Sequence, residues 1–198
     1  MSGPSVISEV TAELRRRLFE AFRALPDDEL GVSSLEDIAL GPPKDLGQSV
    51  VASLYLYLVD IDEHLRNQPP RPDRDDQGLV RRPPLPVRLH YLFTPVSREE
   101  ETNHILLGRF LQHFHDFPTF STLDGTPIGD SFGGAPSALR ATPEPLTIEQ
   151  LSHLWTGFTA PLRVAVPLRV ESVAVDSGEP PRRSPRAGQV LTAVGWSG

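Results

Sequence analysis

The densest group of metal-competent side chains is His113-Phe114-His115-Asp116, within a chain of 198 residues that has six histidines and no cysteine. A metal site on a helix needs ligands stacked on one face, as positions four apart are. His113 and His115 are two apart, so on a helix they point about 200° from each other and cannot share an ion. They read as solvated or interface histidines. His104 and His153 have no ligand partner close in sequence, and His64 meets Asp60 and Asp62 only if a strand ends there. Asp73, Asp75 and Asp76 alternate with Arg71 and Arg74, which reads as a self-neutralising solvated loop. The glycine and terminal glutamate of a calcium loop are missing at the required spacing. Residues 124–130, DGTPIGD, read as a loop. For nucleophilic chemistry the chain lacks G-x-S-x-G and any thiol, and no lysine follows Gly133-Gly134 as a phosphate loop requires. The carboxylates fall in loops and helix starts, where capping accounts for them. These patterns predict no catalytic residue, no cofactor and no metal. A hydrolase built on the Asp-rich loop would need a concave pocket gathering Asp73, Asp75 or Asp124 with a histidine.

Such residues act only where a fold holds them, and the composition supports one. A hydrophobic fraction of 38% against 23% charged residues fills a core, with a mean hydropathy of -0.23. The 21 prolines cluster at 69–86, 118–145 and 180–185, marking loops. No basic start leads into an apolar stretch, so a secretory signal is not expected. The longest nearly apolar run, Val50 to Val59, is too short to span a bilayer, so membrane insertion is not expected. A net charge of -7 argues against nucleic acid as a partner.

Val6, Val10, Leu14, Leu18, Phe22 and Leu25 recur at helical spacing and predict an amphipathic helix over 5–25. Val32 to Leu40 reads as a first strand. Ser49 to Ile61, apolar on both faces, reads as a central strand. Residues 62–84 read as a polar loop, and 87–94 as a strand with one wetter face. Ser97 with Glu100 predicts a capping box for a helix ending at Phe117, whose apolar positions are Leu106, Leu107, Phe110, Leu111, Phe114 and Phe117. Residues 118–146 read as irregular, with a short strand near Ala138 to Ala141. Thr147 and Gln150 predict a second capping box, opening a short helix that buries Leu151, Leu154, Trp155 and Phe158. The last strand, Arg163 to Val175, contains Pro167, which must face an unpaired side or a bulge.

Residues 1–177 read as one domain and 178–198 as an extended C-terminal arm. Arg182, Arg183 and Arg186 against Glu179 give the arm a formal charge of +2, leaving -9 for the body. Val190, Leu191, Val194 and Trp196 then return to apolar character, as a short anchor strand does. These seven arm residues are the candidate partner-binding set, and Trp196 has no local core to enter.

Three blocks, LYLYLVDIDEHLRNQPP from Leu54, PPLPVRLHYLFTPVSREEETNHILLGRFLQHFHDFPTF from Pro83, and LTIEQLSHLWTGFTAPLRVAVPLRVESVAVDS from Leu146, together resemble one family. It is the cap, or tail-terminator, family of extracellular contractile injection systems of the antifeeding-prophage and virulence-cassette type. The resemblance runs over residues 6–177. It implies an α/β (α+β) fold, phage tail-terminator-like, with a mixed or antiparallel sheet flanked by helices. It further implies a non-enzymatic structural subunit, a hexameric ring as homo-oligomer, and inner tube and contractile sheath proteins as partners. Such a subunit is cytoplasmic during assembly and becomes part of a phage tail-like particle. Two departures stand out: Pro167 in the last strand, and an end soon after the core, so that a function which longer relatives place in a further C-terminal domain is not expected from these residues. The alternative reading is a small stand-alone peptide- or ligand-binding module of the same fold.

Overall fold

The computed structural model describes residues 3–25, 30–65, 67–73, 76, 78–129 and 138–183. Helix α1 spans Val6–Arg23 and buries Val10, Leu14, Leu18 and Phe22, the stripe that its spacing predicts. A single 3-10 turn, Leu35–Asp37, leads into β1 (Ile38–Ala39). Here the expected strand over 32–40 is cut to two residues. The Asp37 carboxylate accepts from the backbone N–H of Ser33 and Ser34, each at 2.7 Å, and from the Ser33 hydroxyl at 3.0 Å. A local hydrogen-bond ring of this kind competes with an extended ladder and wins.

The remaining strands are β2 (Ala52–Ile61), β3 (Arg71–Pro72), β4 (Leu79–Arg81), β5 (Leu85–Pro95), β6 (Thr119–Phe120), β7 (Thr122–Leu123), β8 (Thr126–Pro127), β9 (Leu139–Pro143), β10 (Val166–Val175) and β11 (Arg182–Arg183). Helices α2 (Glu100–Asp116) and α3 (Ile148–Phe158) complete the fold. The main sheet runs β1-β2-β5-β10-β9-β6, parallel at β1–β2 and antiparallel elsewhere, so it is mixed.

This order corrects the expected centre. β5, not β2, lies in the middle, and its wetter face is buried as far as His90 and Thr94. β2 is covered on its outer side only where β1 reaches Ala52 and Ser53, and Leu58, Val59 and Ile61 are exposed. An apolar strand pattern reports which residues could be covered, not which neighbours exist.

The core lies between the sheet and α1 with α2. Phe93 of β5 stacks on Phe110 of α2 at 4.3 Å, Phe22 tilts onto Phe93 at 6.0 Å, and Phe114 meets Phe110 edge-on at 5.0 Å. On α2, Leu106, Leu107, Phe110 and Phe114 are buried, whereas Leu111 and Phe117 are exposed. The expected Ser97–Glu100 box does not form: the N-cap is Glu99, and the Ser97 hydroxyl instead accepts from the Glu99 N–H at 3.3 Å. The Thr147–Gln150 box does form, at 3.2 and 2.9 Å. α3 packs lightly on the other face of the sheet. Trp155 is buried, Phe158 meets Tyr55 edge-on at 5.5 Å, and Leu151 and Leu154 are only partly covered.

Pro167 accepts through its carbonyl from the Glu144 N–H at 3.1 Å. In an antiparallel strand a residue's N and O point to the same side, so the missing N–H faces the end of β9 and the ladder to β5 is spared. The loop over 62–84 is more ordered than its composition suggests. β3 and β4 form a hairpin within it, and β11 adds to β4 through Arg182 opposite Val80 and Arg183 opposite Leu79.

Candidate functional site

Strand alternation sends Leu89, Tyr91 and Phe93 of β5 toward the long helices and Arg88 and His90 to the opposite face. Neighbouring strands bring charges to that face. Asp60 of β2 lies opposite Arg88, and Arg169 of β10 lies opposite His90. The Arg88 Nε donates to Asp60 Oδ1 at 2.8 Å. His90 Nδ1 is hydrogen-bonded with Glu144 Oε1 at 2.7 Å, while Nε2 stands 3.4 Å from Asp60 Oδ2 without hydrogen-bond alignment. Glu144 Oε2 accepts from Arg169 Nη1 at 3.4 Å, and Arg169 Nε is 3.0 Å from Glu171. Burial, then the Glu144 carboxylate, push the Tyr57 phenol up to about 12, so it stays neutral. The Tyr57 ring lies 6.1 Å from the His90 ring.

This row of alternating charges ties β2, β5, β10 and the end of β9 together. His90 is only 8% exposed, and no serine or threonine hydroxyl hydrogen-bonds to it among the described residues. A histidine between carboxylates without a nucleophile in reach orients and cross-links strands; it does not assemble the constellation that acyl transfer needs. The sequence shows His90 only as the polar half of an alternation. The groups around it, Asp60, Glu144 and Arg169, come from 30, 54 and 79 residues away and were not legible as a group.

The residues singled out from sequence scatter. His113 is half-buried and His115 exposed on α2, and His104 and His153 are exposed. β2 does end at Ile61, and the His64 N–H donates to Asp62 Oδ1 at 3.0 Å. Asp73 is not solvated: it is 5% exposed and ion-paired with Arg81, because the hairpin folds over it. Asp75 and Arg74 lie outside the described residues. Asp124 and Gly125 both take positive φ, 47° and 72°, making the two-residue turn between β7 and β8. Among the described residues no group of three or more His, Asp or Glu side chains could hold a metal.

Two open clefts lie among the described residues. One of about 770 Å³ is lined by Asp45, Gln48, Ser49, Arg98, Glu99 and Arg163 among others, and one of about 380 Å³ joins Asp124 to Val6 and Glu9. Neither is lined by a histidine, so neither supplies the pocket that the Asp-rich hydrolase reading requires.

Of the partner-binding set, Arg182 and Arg183 form exposed β11, with Arg182 bonded to Glu179 at 3.0 Å and Glu179 3.8 Å from Arg82. Arg186, Val190, Leu191, Val194 and Trp196 lie outside the described residues. Among those described, no helix is long and apolar enough to cross a membrane.

In comparison with known proteins, the sequence model described as the Pvc16 N-terminal domain matches residues 9–189. No curated protein matches in sequence. The fold is similar to the sheath/tube terminator of an extracellular contractile injection system, PVC, in its extended state. That match has a TM-score of 0.60 at 15% identity and covers 94% of this chain and 64% of that one. It is also similar to the tube-terminating cap of the anti-feeding prophage, with a TM-score of 0.52 at 16% identity, over 91% of this chain and 60% of that one. The chain thus spans about three-fifths of the length of these relatives.

Proposed function

The chain belongs to the Pvc16 N-terminal domain family, and on that premise we propose that it is a structural cap subunit that ends tube and sheath polymerisation in a contractile injection particle. The observation that carries this reading is the family match over residues 9–189, and the shared fold of two terminators supports it. The subunit forms a hexameric ring, contacts inner tube and contractile sheath, and catalyses no reaction. It assembles in the cytoplasm and leaves as part of the particle. The described surface suits such a role: a mixed sheet whose β2 edge is largely unpaired, exposed apolar side chains on β2, β5, α2 and α3, and charge networks that rigidify the body. Residues 178–198 act as an arm between subunits, with the basic part near Arg182 and Arg183 and the apolar part from Val190 to Trp196.

The test is co-expression with tube and sheath proteins, imaged by electron microscopy alongside light scattering of the chain alone and with tube protein. Rings at particle ends, and tubes of bounded length that lengthen when the chain is withheld, are the expected result. A monomer in both scattering samples, with tube length unaffected by the chain, overturns the reading.

A further inference from the structure

The outer edge of β2 is open. β1 pairs with it at Ala52 and Ser53, and among the described residues no strand pairs with it from Leu54 to Ile61. Edge strands are usually guarded by proline, lysine or inward charge. The β2 sequence, ASLYLYLVDI, has neither proline nor lysine, and its one charge, Asp60, is taken by Arg88. A bulge at Tyr57 is its single irregularity. Past that bulge Leu58 is 47% exposed, and Val59 and Ile61 are each 43% exposed. Val59 and Ile61 lie opposite Leu89 and Val87, on the side of the sheet that faces the helices, and Leu85 beside them is 43% exposed as well. The three form an apolar strip that α1 and α2 do not reach.

We propose that this edge, in one subunit of the ring, receives residues 190–196 of a second copy as an added strand. The proposal rests on the ring reading above and names the surface that joins the copies.

Three observations select this occupant. In an extended chain Val190, Thr192, Val194 and Trp196 fall on one face and Leu191, Ala193 and Gly195 on the other. The β-branched and aromatic face matches the strip of Val59, Ile61 and Leu85, and main-chain bonds to the edge supply the rest of the affinity. Second, direction favours another copy. β4 runs toward the main sheet at Leu85, and β11 is antiparallel to β4, so at Arg183 the chain is heading away from its own sheet. The 15 residues beyond Arg183 reach up to ~50 Å when extended, enough to meet a neighbour. Third, the edge ends in Asp62 and Glu63, and Arg186 precedes the apolar segment by four residues, so the charges are complementary.

The absence of native cysteine makes the test direct. Two differently tagged full chains, one with Val59→Cys and one with Val194→Cys, are co-expressed, treated with a short bismaleimide, and weighed by light scattering before treatment, alone and with tube protein. A covalent heterodimer is expected, several-fold above the yield when Glu101→Cys, on the exposed start of α2, replaces Val59→Cys. Ile61→Cys serves as a second edge position should Val59→Cys fold poorly. Rings with no heterodimer from either edge position, or with equal yield from Glu101→Cys, overturn the added strand and leave the ring standing. A doubly substituted chain that links only within itself overturns exchange between copies. Monomer in every sample sinks the ring reading and this proposal with it.

Discussion

Glu13 of α1 and His113 of α2 each show a different balance of burial against partners. Burial alone would raise the Glu13 carboxyl, but hydrogen bonds from Arg16 at 2.6 Å and Arg17 at 2.7 Å hold it below the usual carboxylate range. His113 has no such help. Burial, then the charges of Arg17 and Arg109, push its imidazole below 6.5 against the pull of Glu20 and Asp116, and its Nε2 is buried without a hydrogen-bond partner. The fold therefore disfavours protonation of this ring, while the unfolded chain binds its proton at higher pH. The associated stability is present above the unfolded value of 6.5 and is lost as pH falls below it toward the folded value. His113→Leu should flatten that slope. The check is the urea midpoint between about pH 7 and about pH 5, which should fall more for the parent chain than for the variant; parallel slopes defeat the argument. The helical divergence of His113 and His115 was legible from spacing. The burial of Glu13 was not, because its arginine partners at three and four residues look like any solvated helix face until α1 and the β7–β8 hairpin close over it.

At the level of elements, periodicity located the helices and the long strands, whereas neighbour relations were invisible. α1, α2 and α3 begin and end within a few residues of their expected limits because proline and cap residues act locally. The first strand failed because the Ser33-Ser34 and Asp37 ring is also local but spends the backbone donors a strand would use. β2, expected at the centre, lies near the edge, because an apolar pattern cannot say which strand is flanked along its whole length on both sides. α3 ends on Thr159, a β-branched residue held in the left-handed region at φ 52°, where Lys44 Nζ donates to its hydroxyl at 2.6 Å. A branched side chain there costs about 1–2 kcal/mol relative to right-handed backbone, which asparagine bears more easily. Thr159→Asn should raise stability by about 0.5–1 kcal/mol in urea titration; a loss would mean that the tie to Lys44 outweighs the strain.

For the whole molecule, strand order sets the unit of folding. β10 is the bridge: it pairs with β5 on one side and β9 on the other, and β9 alone carries β6. Without it the sheet divides into β1-β2-β5 and β9-β6. A chain stopped at Ala165 should therefore show no cooperative unfolding transition by circular dichroism, whereas one stopped at Arg183 should unfold cooperatively. A sharp transition in the shorter chain would disprove the bridge. β10 pairs with β5 across a long stretch of intervening sequence, and folds rich in such non-local pairing form slowly. One consequence concerns timing on the ribosome. β10 leaves the exit tunnel after both β5 and β9, so the nascent sheet stays divided until that strand has emerged. A product released before that point lacks a closed sheet and is a substrate for proteolysis.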